Sequence, residues 1–112
     1  MIKKFKIQLV DLNPTVGAEI RKVRPCIIVS PDEMNSALST VMVVPLTSTS
    51  PRTLPTRILI KPSSYNKLKN ESYAVLDQLK TIDKKRIIED WGEISESEKI
   101  NITETLLEMF SY

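Results

Sequence analysis

Histidine is absent from this 112-residue chain, cysteine and tryptophan occur once each, and glycine occurs only twice. Each scarcity removes a class of chemistry. Without imidazole there is no Ser-His-Asp relay and no histidine acid or base near neutral pH. The single thiol, Cys26, has no partner for an internal disulfide. With no histidine beside it, the usual zinc ligand sets cannot be assembled. Gly17 and Gly92 are too few for a glycine-rich phosphate loop. The sequence calls for no metal and no cofactor. A formal charge of +2 is too small to draw a polyanion to the whole surface, so such binding has to come from local clusters. No apolar run reaches the length of a membrane span, and the start Met1-Ile-Lys-Lys-Phe-Lys6 lacks a signal-peptide core. A cytoplasmic protein without a membrane partner is expected.

What is present suits one globular domain over residues 1–112, with 41% hydrophobic and 27% charged residues. Lys4–Leu9 alternates polar and apolar, which predicts a half-buried strand with Phe5, Ile7 and Leu9 on one face. Asn13-Pro14 is a turn signal. Cys26–Ser30 is a continuous apolar strand, with Cys26 as a small core residue. Pro31-Asp32-Glu33 predicts a helical turn, with Ser30 as its cap and Glu33 completing a capping box. Val41–Leu46 reads as a buried strand whose Pro45 places it near an edge or bulge. Thr47–Pro51 is a hydroxyl-rich loop. Thr56–Ile60 is a strand with Ile58 and Ile60 on one face and Arg57 on the other. Ser72–Ile82 reads as one long or bent strand carrying Asp77-Gln78 in mid-run. Asp83-Lys84-Lys85 turns into a strand over Arg86–Ile94, with Trp91 as a core or interface aromatic. The period then changes. Ser95-Glu-Ser-Glu98 is a capping box, and Ile100, Thr103, Leu106, Leu107 and Phe110 fall at helical spacing. Several short strands and one terminal helix imply a small, mostly antiparallel barrel.

The stretch Gly17–Pro25 concentrates charge: Glu19, Arg21, Lys22 and Arg24 stand within it. Pro25 biases Arg24 towards an extended backbone and so holds a guanidinium at the mouth of a buried strand. Two readings stay open from this stretch alone. Arg24 either faces a ligand or makes a surface ion pair with Glu19 or Asp11.

Three collinear segments resemble one family. They are Asp11–Glu19 leading to Val23-Arg24-Pro25, then Val43–Ser48, then Leu76–Asp83, with Pro55-Thr56-Arg57 at a matching strand start. In order and spacing the chain is similar to the MazF/PemK-type toxins of bacterial toxin–antitoxin pairs, over nearly its whole length. The resemblance implies an SH3-like antiparallel barrel with a C-terminal helix, working as a homodimer. It implies metal-independent, sequence-specific cleavage of single-stranded RNA, chiefly mRNA, by ribose 2′-hydroxyl attack, leaving 2′,3′-cyclic phosphate and 5′-hydroxyl ends. It also implies a cognate antitoxin protein that covers the RNA groove.

Residue by residue, Arg24 matches the family's catalytic arginine and Thr47 its catalytic threonine. Glu19 matches an acidic loop position and is the first candidate for a base. Its alternative is an ion pair with Arg21, Lys22 or Arg24. Asn13, Thr15, Arg21, Lys22, Ser48, Arg57, Asp77, Gln78 and Lys80 are the candidate RNA-binding residues. Val75 stands where the plasmid-borne branch has an arginine, so Asp77 and Gln78 read as structural or base-reading. Among one Trp, three Tyr and two Phe, Tyr65 and Tyr73 are the candidates for base stacking. Two other readings share the barrel: a CcdB-like poison of DNA gyrase, and a catalytically silent barrel that binds RNA or antitoxin.

Overall fold

The computed structural model describes residues 2–14, 16–20, 22–48 and 54–112. Among these residues seven strands and two α-helices follow in the order β1 (Lys6–Asp11), β2 (Val23–Ile28), α1 (Asp32–Ala37), β3 (Thr40–Thr47), β4 (Arg57–Ile60), β5 (Ser72–Val75), β6 (Lys80–Asp83), β7 (Ile87–Glu93) and α2 (Glu96–Phe110). All pairings are antiparallel, in the sheet order β4-β5-β3-β2-β1-β7, with β6 also paired to β3. The result is mainly β, curled and barrel-like, but the sheet is not closed.

β3 makes the curl possible. Its first half, Thr40–Val43, pairs with β6, and its end, Leu46–Thr47, pairs with β5. Pro45, which has no N–H to give, falls in the gap between those two partners. It lies inside the sheet, opposite Cys26 of β2; of the two placements the sequence suggested, an edge or a bulge, the edge is excluded.

Alternation sorts the side chains into two clusters, one per face. Ile7, Ile27, Val44, Leu46, Ile60 and Ala74 form the larger core with Ile94 and Ile102. Val10, Cys26, Ile28, Val41, Val43 and Ile82 form the smaller one, covered by Leu12, Ile20 and Ile87. β1 is buried on its second face too and is not half-buried: Gln8 and Val10 are buried there, with Val10 in the smaller core under Ile20 and Ile87. Gln8 meets its polar need by donating to the Ile7 carbonyl and to Asp90 Oδ1 at 2.9 Å. Trp91 is half-buried against the larger core.

Three local expectations change. Ser30 does not cap α1; its hydroxyl bonds Asn35 Oδ1 at 2.5 Å and accepts the Met42 N–H, which ties α1 to β3. The run Ser72–Ile82 is broken by a 3-10 turn at Leu76–Gln78. In α2 the capping box forms, but the inward stripe is Glu98, Ile102, Leu106 and Met109. Ile100, Leu107 and Phe110 are exposed. Among the described residues no helix is long and apolar enough to cross a membrane.

Candidate active site

Arg24 lies within β2, not in the loop before it, because Val23 and Pro25 extend the strand to pair with Asp11 and Leu9. Arg24 stands opposite Val10. The β2–β3 register pairs Cys26 with Pro45; continued by two residues, it sets Arg24 across from Thr47. Thr47 is opposite Tyr73 of β5, and Lys80 of β6 is opposite Val43. Alternation puts Arg24, Thr47, Tyr73 and Lys80 on the same side of the sheet as the smaller core. Arg24 and Thr47 are both half-buried and partly open to solvent.

The charges act together. Burial pushes the Cys26 thiol up to about 12, against the opposing pull of the Lys80 and Arg24 charges. Cys26 is an inert core thiol, as its apolar run suggested.

The connection between β1 and β2 borders this face and is fastened at several points. Arg86 donates to the Asp11 carbonyl at 3.2 Å and to the Asn13 carbonyl. The Leu12 N–H reaches the Lys22 carbonyl at 3.0 Å, and Asn13 Oδ1 accepts the Lys22 N–H. Lys22 and Gly17 take left-handed φ of 71° and 59°, which turns the chain back towards β2. Glu19 accepts the Val16 N–H at 2.6 Å, and its other oxygen lies 3.8 Å from Lys80 Nζ. Asp11 Oδ1 accepts the Asn13 N–H at 3.0 Å. Gln78 reaches in from the 3-10 turn, accepting the Ile20 N–H at 2.7 Å and donating to the Ala18 carbonyl.

On the other side of the turn, Asp77 takes Thr56 Oγ1 at 3.0 Å and the Arg57 guanidinium at 3.3 and 3.5 Å. Partial burial would raise the Asp77 carboxyl. The hydrogen bonds from Arg57 and Thr56 and the Arg57 charge outweigh it and hold the group below its ordinary value of 3.8. Arg57 is directly opposite Val75, so a guanidinium stands on the neighbouring strand where residue 75 has none.

Arg24, Thr47 and Lys80 thus share one side of the sheet, Glu19 reaches Lys80, Gln78 holds the segment that carries Glu19, and Arg57 pairs with Asp77 across the 3-10 turn. Ser48 is exposed directly after Thr47, and Lys22 is exposed at the foot of the loop. Thr15, Arg21 and residues 49–53 lie outside the described residues. Tyr65 is separated from the group. It packs by its backbone against Gly92, near the Lys6–Glu93 end of β7, whereas Arg24 neighbours Val10 at the Ile87 end. Arg86 was not singled out by the sequence, since its partners are 75 and 73 positions away.

A small curled antiparallel sheet with a capped terminal helix and a cationic open face has clear relatives. The family model for PemK-like, MazF-like toxins of type II toxin–antitoxin systems matches residues 3–110, and the chain belongs to that family. The endoribonuclease MazF of Staphylococcus epidermidis is 36% identical over 107 residues, 95% of this chain and 88% of that protein. MazF from Deinococcus radiodurans shares the fold with a TM-score of 0.83 at 18% identity, over 99% of this chain and 97% of that one. A mycobacterial endoribonuclease solved in complex with its cognate antitoxin gives 0.78 at 25% identity, over 96% and 93%.

Proposed function

We propose that this toxin is an endoribonuclease that cleaves single-stranded RNA at specific sequences without a metal ion. It acts by attack of a ribose 2′-hydroxyl on the adjacent phosphate. The new O–P bond forms as the bond to the 5′-oxygen breaks, leaving a 2′,3′-cyclic phosphate and a 5′-hydroxyl. The observation that carries this reading is the register that sets Arg24 across from Thr47 on one open sheet face. A guanidinium there holds two phosphate oxygens at once and stays charged at any working pH, which suits charge stabilisation in the transition state. The Thr47 hydroxyl adds a donor to the same phosphate. Glu19 is the carboxylate assigned to take the 2′-hydroxyl proton; Lys80 and the Val16 N–H fix its orientation. Lys80, Arg57 and Lys22 give the phosphate backbone its electrostatic track, and Tyr73, beside Thr47, is the stacking platform.

The working unit in this reading is a cytoplasmic homodimer, and its partners are single-stranded mRNA and an antitoxin protein. The test is cleavage of a mixed-sequence RNA in EDTA with end-group analysis. Wild type should give cyclic-phosphate ends, and Arg24→Ala and Thr47→Ala should each lose about a hundred- to a thousandfold in rate. A folded wild type that leaves RNA intact would shift the assignment to a poison of a protein target.

A further inference from the structure

Gln78 turns both ends of its side-chain amide onto the protein. Its amide oxygen accepts the Ile20 N–H at 2.7 Å and its amide nitrogen donates to the Ala18 carbonyl at 3.4 Å. Both partners are backbone groups of the loop that also carries Glu19. Ile20, itself one of the two anchor points, packs against the smaller core. The neighbouring Asp77 turns the other way and fastens Thr56 and Arg57. One 3-10 turn, Leu76–Gln78, therefore grips both segments that flank the Arg24–Thr47 face. The turn is itself rooted in the fold, because Leu76 is fully buried and its N–H donates to the Thr56 carbonyl at 3.0 Å.

We propose that Gln78 is a positioning residue. It clamps the β1–β2 loop by its backbone and so fixes Glu19 relative to Arg24 and Thr47, with Asp77 bracing the opposite segment from the same turn. The inference rests on the ribonuclease reading for its effect on rate, but the clamp exists whether or not RNA is cut. A loop free to drift by about 1 Å loses the in-line geometry, and such a shift costs about a hundredfold.

The experiment compares wild type, Gln78→Glu and Gln78→Met. All three side chains are of similar length. Glutamate keeps an oxygen for the Ile20 N–H; methionine keeps neither bond. Hydrogen exchange is read at the Ile20 amide in the RNA-free protein, and kcat and KM are read on RNA in EDTA. Gln78→Met should release the Ile20 amide while strand amides stay protected, and kcat should fall by up to about a hundredfold. Gln78→Glu keeps the acceptor for the Ile20 N–H but sets a carboxylate oxygen against the Ala18 carbonyl, so it should keep the Ile20 amide slower to exchange than Gln78→Met does. Unchanged Ile20 exchange in Gln78→Met overturns the clamp, and a rate loss without faster exchange assigns Gln78 to RNA contact instead. If wild type cuts no RNA while Gln78→Met still frees Ile20, the clamp stands and the ribonuclease reading falls.

Discussion

Gly92 shows how much one residue carries here. It sits at φ +97°, and a Cβ on it would lie 2.1 Å from the Tyr65 carbonyl oxygen and 2.7 Å from Asn66 Cα. Both are backbone atoms, so no side-chain rotation relieves the clash. The close approach is what lets the 65–67 segment cross β7, where Glu93 donates to Tyr65 and Lys67 donates to Trp91. Gly92→Ala is expected to cost about 2 kcal/mol or more, from strain and overpacking together. A urea denaturation midpoint unchanged from wild type would mean that this crossing can shift at little cost. The same scale separates the candidate residues. Arg24 and Thr47 were visible in their motifs, and Cys26 in its apolar run. Gln78 was read as structural or base-reading, but its partners were not legible, because they stand 58 and 60 positions away and are backbone atoms that no side-chain pattern encodes. Arg86 left no local trace for the same reason.

At the scale of elements, α2 explains where the pattern was legible and where it misled. The start was plain: Ser95 accepts the Glu98 N–H and Glu98 Oε1 accepts the Ser95 N–H at 2.9 Å, as the capping box requires. The inward face was not. The apolar spacing favoured Ile100, Thr103, Leu106, Leu107 and Phe110; of these Leu106 packs on the core, and the helix turns Ile102 inward together with Glu98. A carboxylate does not announce itself as a core-facing residue. Glu98 is tolerated there because its second oxygen accepts the Lys61 N–H at 2.8 Å, stitching the helix to the end of β4. Removing a fully enclosed isoleucine leaves a cavity, so Ile102→Ala is expected to cost about 2–5 kcal/mol. Ile100→Ala, on the exposed face, should stay within about 0.5 kcal/mol. Equal losses in thermal or urea unfolding would mean that the helix packs in a different rotation. The strands follow the same logic. Alternation found Ile58 and Ile60 on one face of β4, but missed the second buried face of β1, which depends on β7 arriving from far along the chain.

For the whole molecule, the open question is what the exposed side of α2 is for. Leu107 is 67% and Phe110 70% exposed. They border a groove of about 540 Å³ whose other walls include Phe5, Val29, Met42, Leu79 and Leu106. On the inward side of α2, Leu106 and Met109 are spent partly on the larger core. Leu107 and Phe110 are the unspent surface, and a contiguous apolar patch of this kind marks an interaction site more often than scattered single residues do. We place the seam of the proposed homodimer here, with α2 of each copy seated on the other. Sedimentation at micromolar concentration should then give twice the 12.8 kDa of the chain. Leu107→Glu with Phe110→Glu should return it to monomer, and because both residues are exposed, circular dichroism should keep the wild-type strand and helix signal. A wild type that sediments only as monomer would sink the dimer. A charged variant that remains dimeric would move the seam elsewhere, towards the exposed Ile88 on β7.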